Sequence, residues 1–167
     1  MPNVFLGSIG PLLIVLHAFS AIALGGSSVH HAVIATQALR GQPLRRRLAK
    51  LYSLVALCAY LATLVSGGLV YPRYRYFVRG LYLDRYAPWA SNLFDFKENL
   101  ATLGLPLAIG AFVLARELAQ APADPDASSP PVPQAARLLY GLFALGTSVI
   151  SLFNLTAGLL CTSMRGL

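Results

Sequence analysis

The sequence predicts an all-α integral membrane protein: four transmembrane helices in an antiparallel bundle, with an interfacial aromatic and basic segment between the second and third. Two observations carry that expectation. Charged residues make up only 11% of the chain and hydrophobic ones 56%, whereas a soluble domain carries about 25% charged residues. A chain this short has much surface to cover with polar groups if water surrounds it. The charges also fall in blocks. Lys, Arg, Asp and Glu are missing from Met1 to Leu39, Leu51 to Pro72, Asn99 to Ala115 and Leu138 to Met164. Crossing the hydrocarbon core takes about 20 mostly apolar residues, with a range of roughly 17–25, and all four blocks reach it.

The first span is expected over about residues 8–39, with Pro11 in its first turn, where a missing N–H costs nothing. Its apolar run could pass for a signal peptide ending at Ala21-Ile22-Ala23. No charge precedes Arg40, however, and a signal peptide wants a positive n-region, so the helix is read as retained. Gly25-Gly26-Ser27-Ser28 marks a break or a close helix contact. A short basic link follows, Arg40 to Arg47. The second span covers about 48–71 and is expected to stop at Pro72. The third covers about 94–118, with a kink at Pro106, and the fourth about 136–163. Between the last two, 121–134 holds five prolines and reads as a flexible linker. Pairs such as Ala21/Gly25, Ala62/Ser66 and Ala144/Ser148 suit close helix packing in lipid. Cys58 and Cys161 fall at different depths and are read as free thiols.

Orientation follows the positive-inside rule. Arg40, Arg45, Arg46, Arg47, Lys50, Arg116 and Arg137 lie on one side, seven in all; Arg73, Arg75, Arg79, Arg85, Lys97 and Arg165 on the other make six. The first link is short, dense and free of acids. That places it inside and both termini outside, in a cell inner membrane.

All three histidines, His17, His30 and His31, sit in the first span. His17 and His31 are about four turns and ~21 Å apart, on one face. This spacing resembles that in cytochrome b-type membrane helices, where one helix holds ligands for two stacked haems. Haem b is therefore the candidate cofactor, with His17 and His31 as its ligands. The other spans supply no facing histidine, so the choices are a single axial ligand or a homodimer. Imidazoles at membrane depth usually face a bundle interior, and a hydrogen bond across a helix contact explains His17 equally well. Lys97, Glu98 and Asn154 are the other candidates for an outer polar pocket, although the helix dipole also accounts for acids near a helix start.

Tyr71 to Trp89 holds five of the eight tyrosines and the only tryptophan, interleaved with arginines. Such a mixture can bind nucleic acid. Between two membrane spans it reads instead as an interfacial belt, with Arg73, Arg75 and Arg79 reaching lipid phosphates and Tyr74, Tyr76 and Trp89 at the boundary. It could also fold over the bundle as a lid. No nucleotide loop, metal cluster or catalytic triad is visible, which argues against a self-contained enzyme. The sequence points to a membrane subunit or anchor, of a redox system holding haem b or quinone, whose partners are the bilayer and a second copy or larger complex. A small transporter or channel component, or an enzyme acting on lipid, are the alternatives.

Overall fold

The computed structural model describes residues 6–120 and 133–164. Most of the proline-rich stretch expected to be a flexible linker, and Arg165, lie outside the described residues. Among them no strand occurs, and four helical stretches are long and apolar enough to cross a membrane: Gly10–Leu39, Arg46–Tyr86, Pro88–Gln120 and Gln134–Met164.

A 3-10 turn, Gly7–Ile9, leads into α1, Gly10–Leu39, with Pro11 in its first turn. Gly25-Gly26-Ser27-Ser28 does not break α1; it is a close contact. A Cβ on Gly25 would lie 2.7 Å from a methyl of Leu155. The helix ends on Gly41, whose φ of +69° only glycine adopts freely. The Gln42 amide donates to the Gln37 carbonyl and the Gly41 amide to that of Ala38. These two bonds are a Schellman cap and satisfy carbonyls that the last turn would leave open.

The second helix differs from the sequence expectation. α2 runs Arg46–Tyr74 with Pro72 inside it, and the chain continues without interruption as a π-helical segment, Arg75–Leu83, and a single turn, α3, Asp84–Tyr86. Pro72 removes one backbone bond near the helix end, and the wider i→i+5 pattern beyond it carries the helix on. The true break is Ala87, with φ −146° and ψ 62°. Its carbonyl accepts the Ala90 amide at 2.9 Å, and Pro88 opens α4, Pro88–Gln120, in the first position, where proline is preorganised for helix. Pro106 is accommodated inside α4. The last helix, α5, is Gln134–Met164.

The four long helices close a ring in which α1 packs against α2 and α5, and α4 against α2 and α5. Near the Arg40 end, the centre is a layer of small and aliphatic residues: Ile34, Ala35, Ala38, Ala49, Ala111, Ala115, Leu118 and Ala144, with the Tyr140 ring. The alanines let backbones approach closely enough for dispersion contacts to hold helices together. At the other end Val78, Leu83, Ala87 and Ala90 pin the π-helical segment onto α4. Large apolar side chains such as Phe19, Ile22, Val65, Leu103, Val149 and Leu159 point outward, as expected of helices that face hydrocarbon.

Candidate functional site

A group of polar side chains collects inside the bundle. Ser28, His31, Ser53, Tyr140, Thr147, Ser148 and Ser151 are all at most 2% exposed. On α5 they follow the inner face at helical spacing, with Asn154 one turn beyond Ser151. Thr147 and Ser148 return their hydroxyl protons to the carbonyls of Phe143 and Ala144, the usual way a hydroxyl is satisfied within a helix. Three of these buried atoms have no such outlet, Ser28 Oγ, His31 Nδ1 and Ser151 Oγ, while the Tyr140 hydroxyl lies close enough to the Ser53 hydroxyl to interact with it.

His31 is the centre of this group. Its Nε2 lies 3.1 Å from the Ser53 hydroxyl on α2, and its ring centroid is 5.8 Å from that of Tyr140 on α5. The Ser53 hydroxyl also lies 2.6 Å from the Ala49 carbonyl. A hydroxyl has one proton: given to Ala49 it leaves Ser53 to accept from His31 Nε2, and turned toward the ring it is donated to Nε2 instead. In either case Nδ1 is buried without a hydrogen-bond partner.

His17 has the opposite arrangement. Its Nδ1 lies 3.1 Å from the Thr63 carbonyl and 3.2 Å from the Ser66 hydroxyl. Ser66 gives its own proton to the Ala62 carbonyl at 2.6 Å. Both neighbours are therefore acceptors, and Nδ1 carries the proton. Nε2 keeps a free lone pair, the posture of a histidine ligand whose other nitrogen is anchored to a carbonyl. The ring fits against α2 because residue 67 is glycine: a Cβ there would lie 3.0 Å from His17 Cε1. His17 and His31 thus share the α2-facing side of α1. His30 does not join them; it is exposed, bonded to the Gly26 carbonyl at 2.9 Å and stacked on Tyr52.

The remaining candidates gather toward the π-helical end. The Lys97 ammonium sits over the Phe94 ring, 4.4 Å from its centroid, and is near enough to His17 and Glu98 to act on both electrostatically. Tyr74 stacks on the same Phe94 ring at 4.1 Å. Its hydroxyl and the Asn154 Oδ1 are buried without hydrogen-bond partners. Lys97, Glu98 and His17 therefore belong to one neighbourhood, and Asn154 continues the inner stripe of α5 toward it.

The arginines proposed for lipid phosphates divide. Arg75 is exposed. The Arg73 guanidinium lies over Phe77, and its side chain packs against Gly10. The Arg79 guanidinium is held by Asp95 and Asp84. Tyr76 and Trp89 are about half exposed. Tyr140, Ser53, Ser28 and Ser151 are absent from the sequence-based candidates. Their signal was the three- to four-residue spacing of hydroxyl residues on apolar helices, which small-residue packing explains equally well.

Among the described residues no group of three His, Cys, Asp or Glu side chains could hold a metal ion. A bis-histidine haem within one chain does not fit, since every histidine lies on α1 and His31 Nε2 is bonded to Ser53. His17 alone has the posture of an axial ligand. No protein-family model, curated protein or solved structure matches the chain.

Proposed function

We propose that this chain is a multi-pass membrane protein, an antiparallel four-helix bundle serving as a small membrane subunit whose polar interior holds a neutral, membrane-soluble ligand of the quinone class. Antiparallel order is supported by contact pairs that run in opposite senses: Gly141 beside Leu39 but Leu155 beside Gly25, and Ser53 beside His31 but Ser66 beside His17. The dense basic link Arg40–Lys50 supports a cytoplasmic position for that end in a cell inner membrane, with both termini outside.

The observation that carries the reading is the set of unpartnered interior atoms, Ser28 Oγ, His31 Nδ1 and Ser151 Oγ. Leaving such a group unbonded costs about 1–3 kcal/mol, and lipid offers no relief. A bound ligand removes that cost. The atoms belong to uncharged side chains, which suits a neutral ligand over an ion. The apolar layer of Ala35, Ala38, Ala115 and Leu118 lies toward the Arg40 end, while the charged neighbourhood of Lys97 lies toward the other. The interior therefore suits a one-ended binding site better than a through-channel.

A second reading rests on His17, whose free Nε2 suits a single axial bond to haem b. One preparation separates the two. Detergent-purified protein is expected to show no Soret absorbance and to release a quinone into organic solvent. A Soret band lost in His17→Ala supports the haem reading instead. A preparation with neither ligand removes both and leaves an anchor without a cofactor.

A further inference from the structure

We infer that the basic link between α1 and α2, together with the α2 face below it, is a binding surface for anionic phospholipid: headgroup phosphate at Arg45, Arg47 and Lys50, acyl chains along Leu51, Leu54 and Val55. The inference rests on the reading that the chain spans a membrane, and is independent of any ligand in the bundle interior.

Arg40, Arg45, Arg46, Arg47 and Lys50 fall within eleven positions, and no Asp or Glu precedes Asp84. Arg40, Arg45, Arg47 and Lys50 are exposed. Among the described residues none of these four has a carboxylate within ion-pair reach. The link is held to the bundle, because Leu44 packs against the layer around Ile34 and Leu118. Helix stability does not account for the charges. They crowd the start of α2, whose first turn holds no acid, and a helix start favours negative groups. Orientation calls for positive charge on one side, yet lysines anywhere in the link would serve it. That leaves unexplained the run of guanidinium groups, whose forked donors match phosphate oxygens.

The apolar side chains beneath them favour a lipid over a soluble anion. Residues three and four apart share a helix face, so Arg47 stands over Leu51 and Lys50 over Leu54, with Val55 a turn beyond Leu51. Leu51, Leu54 and Val55 are 51%, 41% and 40% exposed. One side of α2 thus passes from cationic to apolar within about a turn, as a phospholipid passes from phosphate to acyl chain. At the opposite end of the bundle the positive charge is partly compensated: Asp95 and Asp84 hold Arg79, and the Arg73 guanidinium lies over Phe77.

The test uses the full chain in a neutral detergent, with native mass spectrometry reading the binding of phosphatidylglycerol and phosphatidylcholine. The parent is expected to prefer phosphatidylglycerol. Arg45→Gln/Arg47→Gln should weaken phosphatidylglycerol about fivefold for each charge removed and leave phosphatidylcholine unchanged. Arg45→Lys/Arg47→Lys keeps the charge and should recover most of the loss. Arg75→Gln/Arg85→Gln removes two exposed arginines at the other end and should keep the parent's preference. An excess of inorganic phosphate should leave the lipid bound, since it has no acyl chain. Equal binding of both lipids by the parent, an unchanged preference in Arg45→Gln/Arg47→Gln, or displacement by inorganic phosphate overturns the inference. So does an equal loss in Arg75→Gln/Arg85→Gln. A preference that emerges only in Asp124→Asn/Asp126→Asn also overturns it, because the chain's own acids would then occupy the link. Release of the chain from membranes by alkaline carbonate defeats the membrane-spanning reading itself. A retained chain indifferent to lipid charge defeats only this inference.

Discussion

Arg79 grips Asp95 through both arms of its guanidinium: Nη1 to Oδ1 at 2.5 Å and Nη2 to Oδ2 at 2.8 Å. The pair joins the π-helical segment to α4, sixteen residues on. Asp84, 3.6 Å from Arg79 Nε, accepts the Ser91 hydroxyl at 2.5 Å, so one arginine and two acids tie three stretches of chain together. π-helix is rare and usually confined to one turn. Nine consecutive residues of it need support from outside their own backbone, and this clasp together with the buried Val78 and Leu83 provides it.

Cutting the clasp should therefore loosen the segment without unfolding the bundle. Both side chains are partly exposed, at 25% and 42%, so screening limits the pair to about 0.5–1 kcal/mol despite its forked geometry. Arg79→Ala should quicken amide exchange across residues 75–83 a few-fold and leave α5 unchanged. Arg79→Lys should not restore protection, since an ammonium cannot bond both oxygens in parallel. Equal exchange in the parent and both variants would show that the apolar contacts suffice.

The α2–α4 contact depends on a glycine. The Tyr60 hydroxyl donates to the Ala101 carbonyl at 2.9 Å and occupies the space that a side chain on Gly104 would take; a Cβ there would also press on Ile150 at 3.0 Å. Gly104→Ala should destabilise the bundle by about 1–3 kcal/mol through overpacking. Gly26→Ala is the control, because nothing lies within 4 Å of its Cβ position and alanine favours helix. Unfolding both variants in a denaturing detergent series compares them. A Gly104→Ala protein as stable as Gly26→Ala would mean that Tyr60 does not pack there.

The long helices were legible because a segment able to cross a membrane must be long and nearly free of charge, and the charge-free blocks around Ile22, Leu61, Ile109 and Val149 meet that rule. Helix ends were less so. Pro72 reads as a stop when only α-helical bonding is considered, and π-helical bonding beyond it was invisible in composition. Gly41 followed by Pro43 did carry a C-cap signal. The interior was the hardest part. That His31 meets Ser53 and Tyr140 depends on the register of three helices, and one sequence leaves that register open. Asp95 and Glu98 have a local explanation in the helix dipole, which concealed the pairing of Asp95 with Arg79.

Orientation is expected to place the Arg40–Lys50 link in the cytoplasm and the π-helical segment outside. Single cysteines at Gln42 and at Arg85, both exposed, report it in a background lacking Cys58 and Cys161. An impermeant thiol reagent on intact cells should label position 85 and spare 42. The reverse pattern would invert the protein and put the lone tryptophan on the cytoplasmic side.

The last prediction concerns His17. Its Nδ1–H ties α1 to the Thr63 carbonyl, and Gly67 leaves just enough room for the ring. Hydrogen bonds between membrane helices contribute about 0.5–2 kcal/mol, so His17→Ala should lower bundle stability by that amount with or without a cofactor. His17→Asn keeps a side-chain amide near Thr63 and should recover part of the loss, yet cannot supply the imidazole Nε2. If haem is bound, part of the stability therefore returns in His17→Asn while the Soret band does not. If no haem is bound, the asparagine variant should lie between the alanine variant and the parent in stability and match the parent in absorbance. An unchanged melting profile in His17→Ala would show that the contact with Thr63 adds nothing to α1–α2 association, and would leave Nε2 as the only reason for an imidazole at that depth.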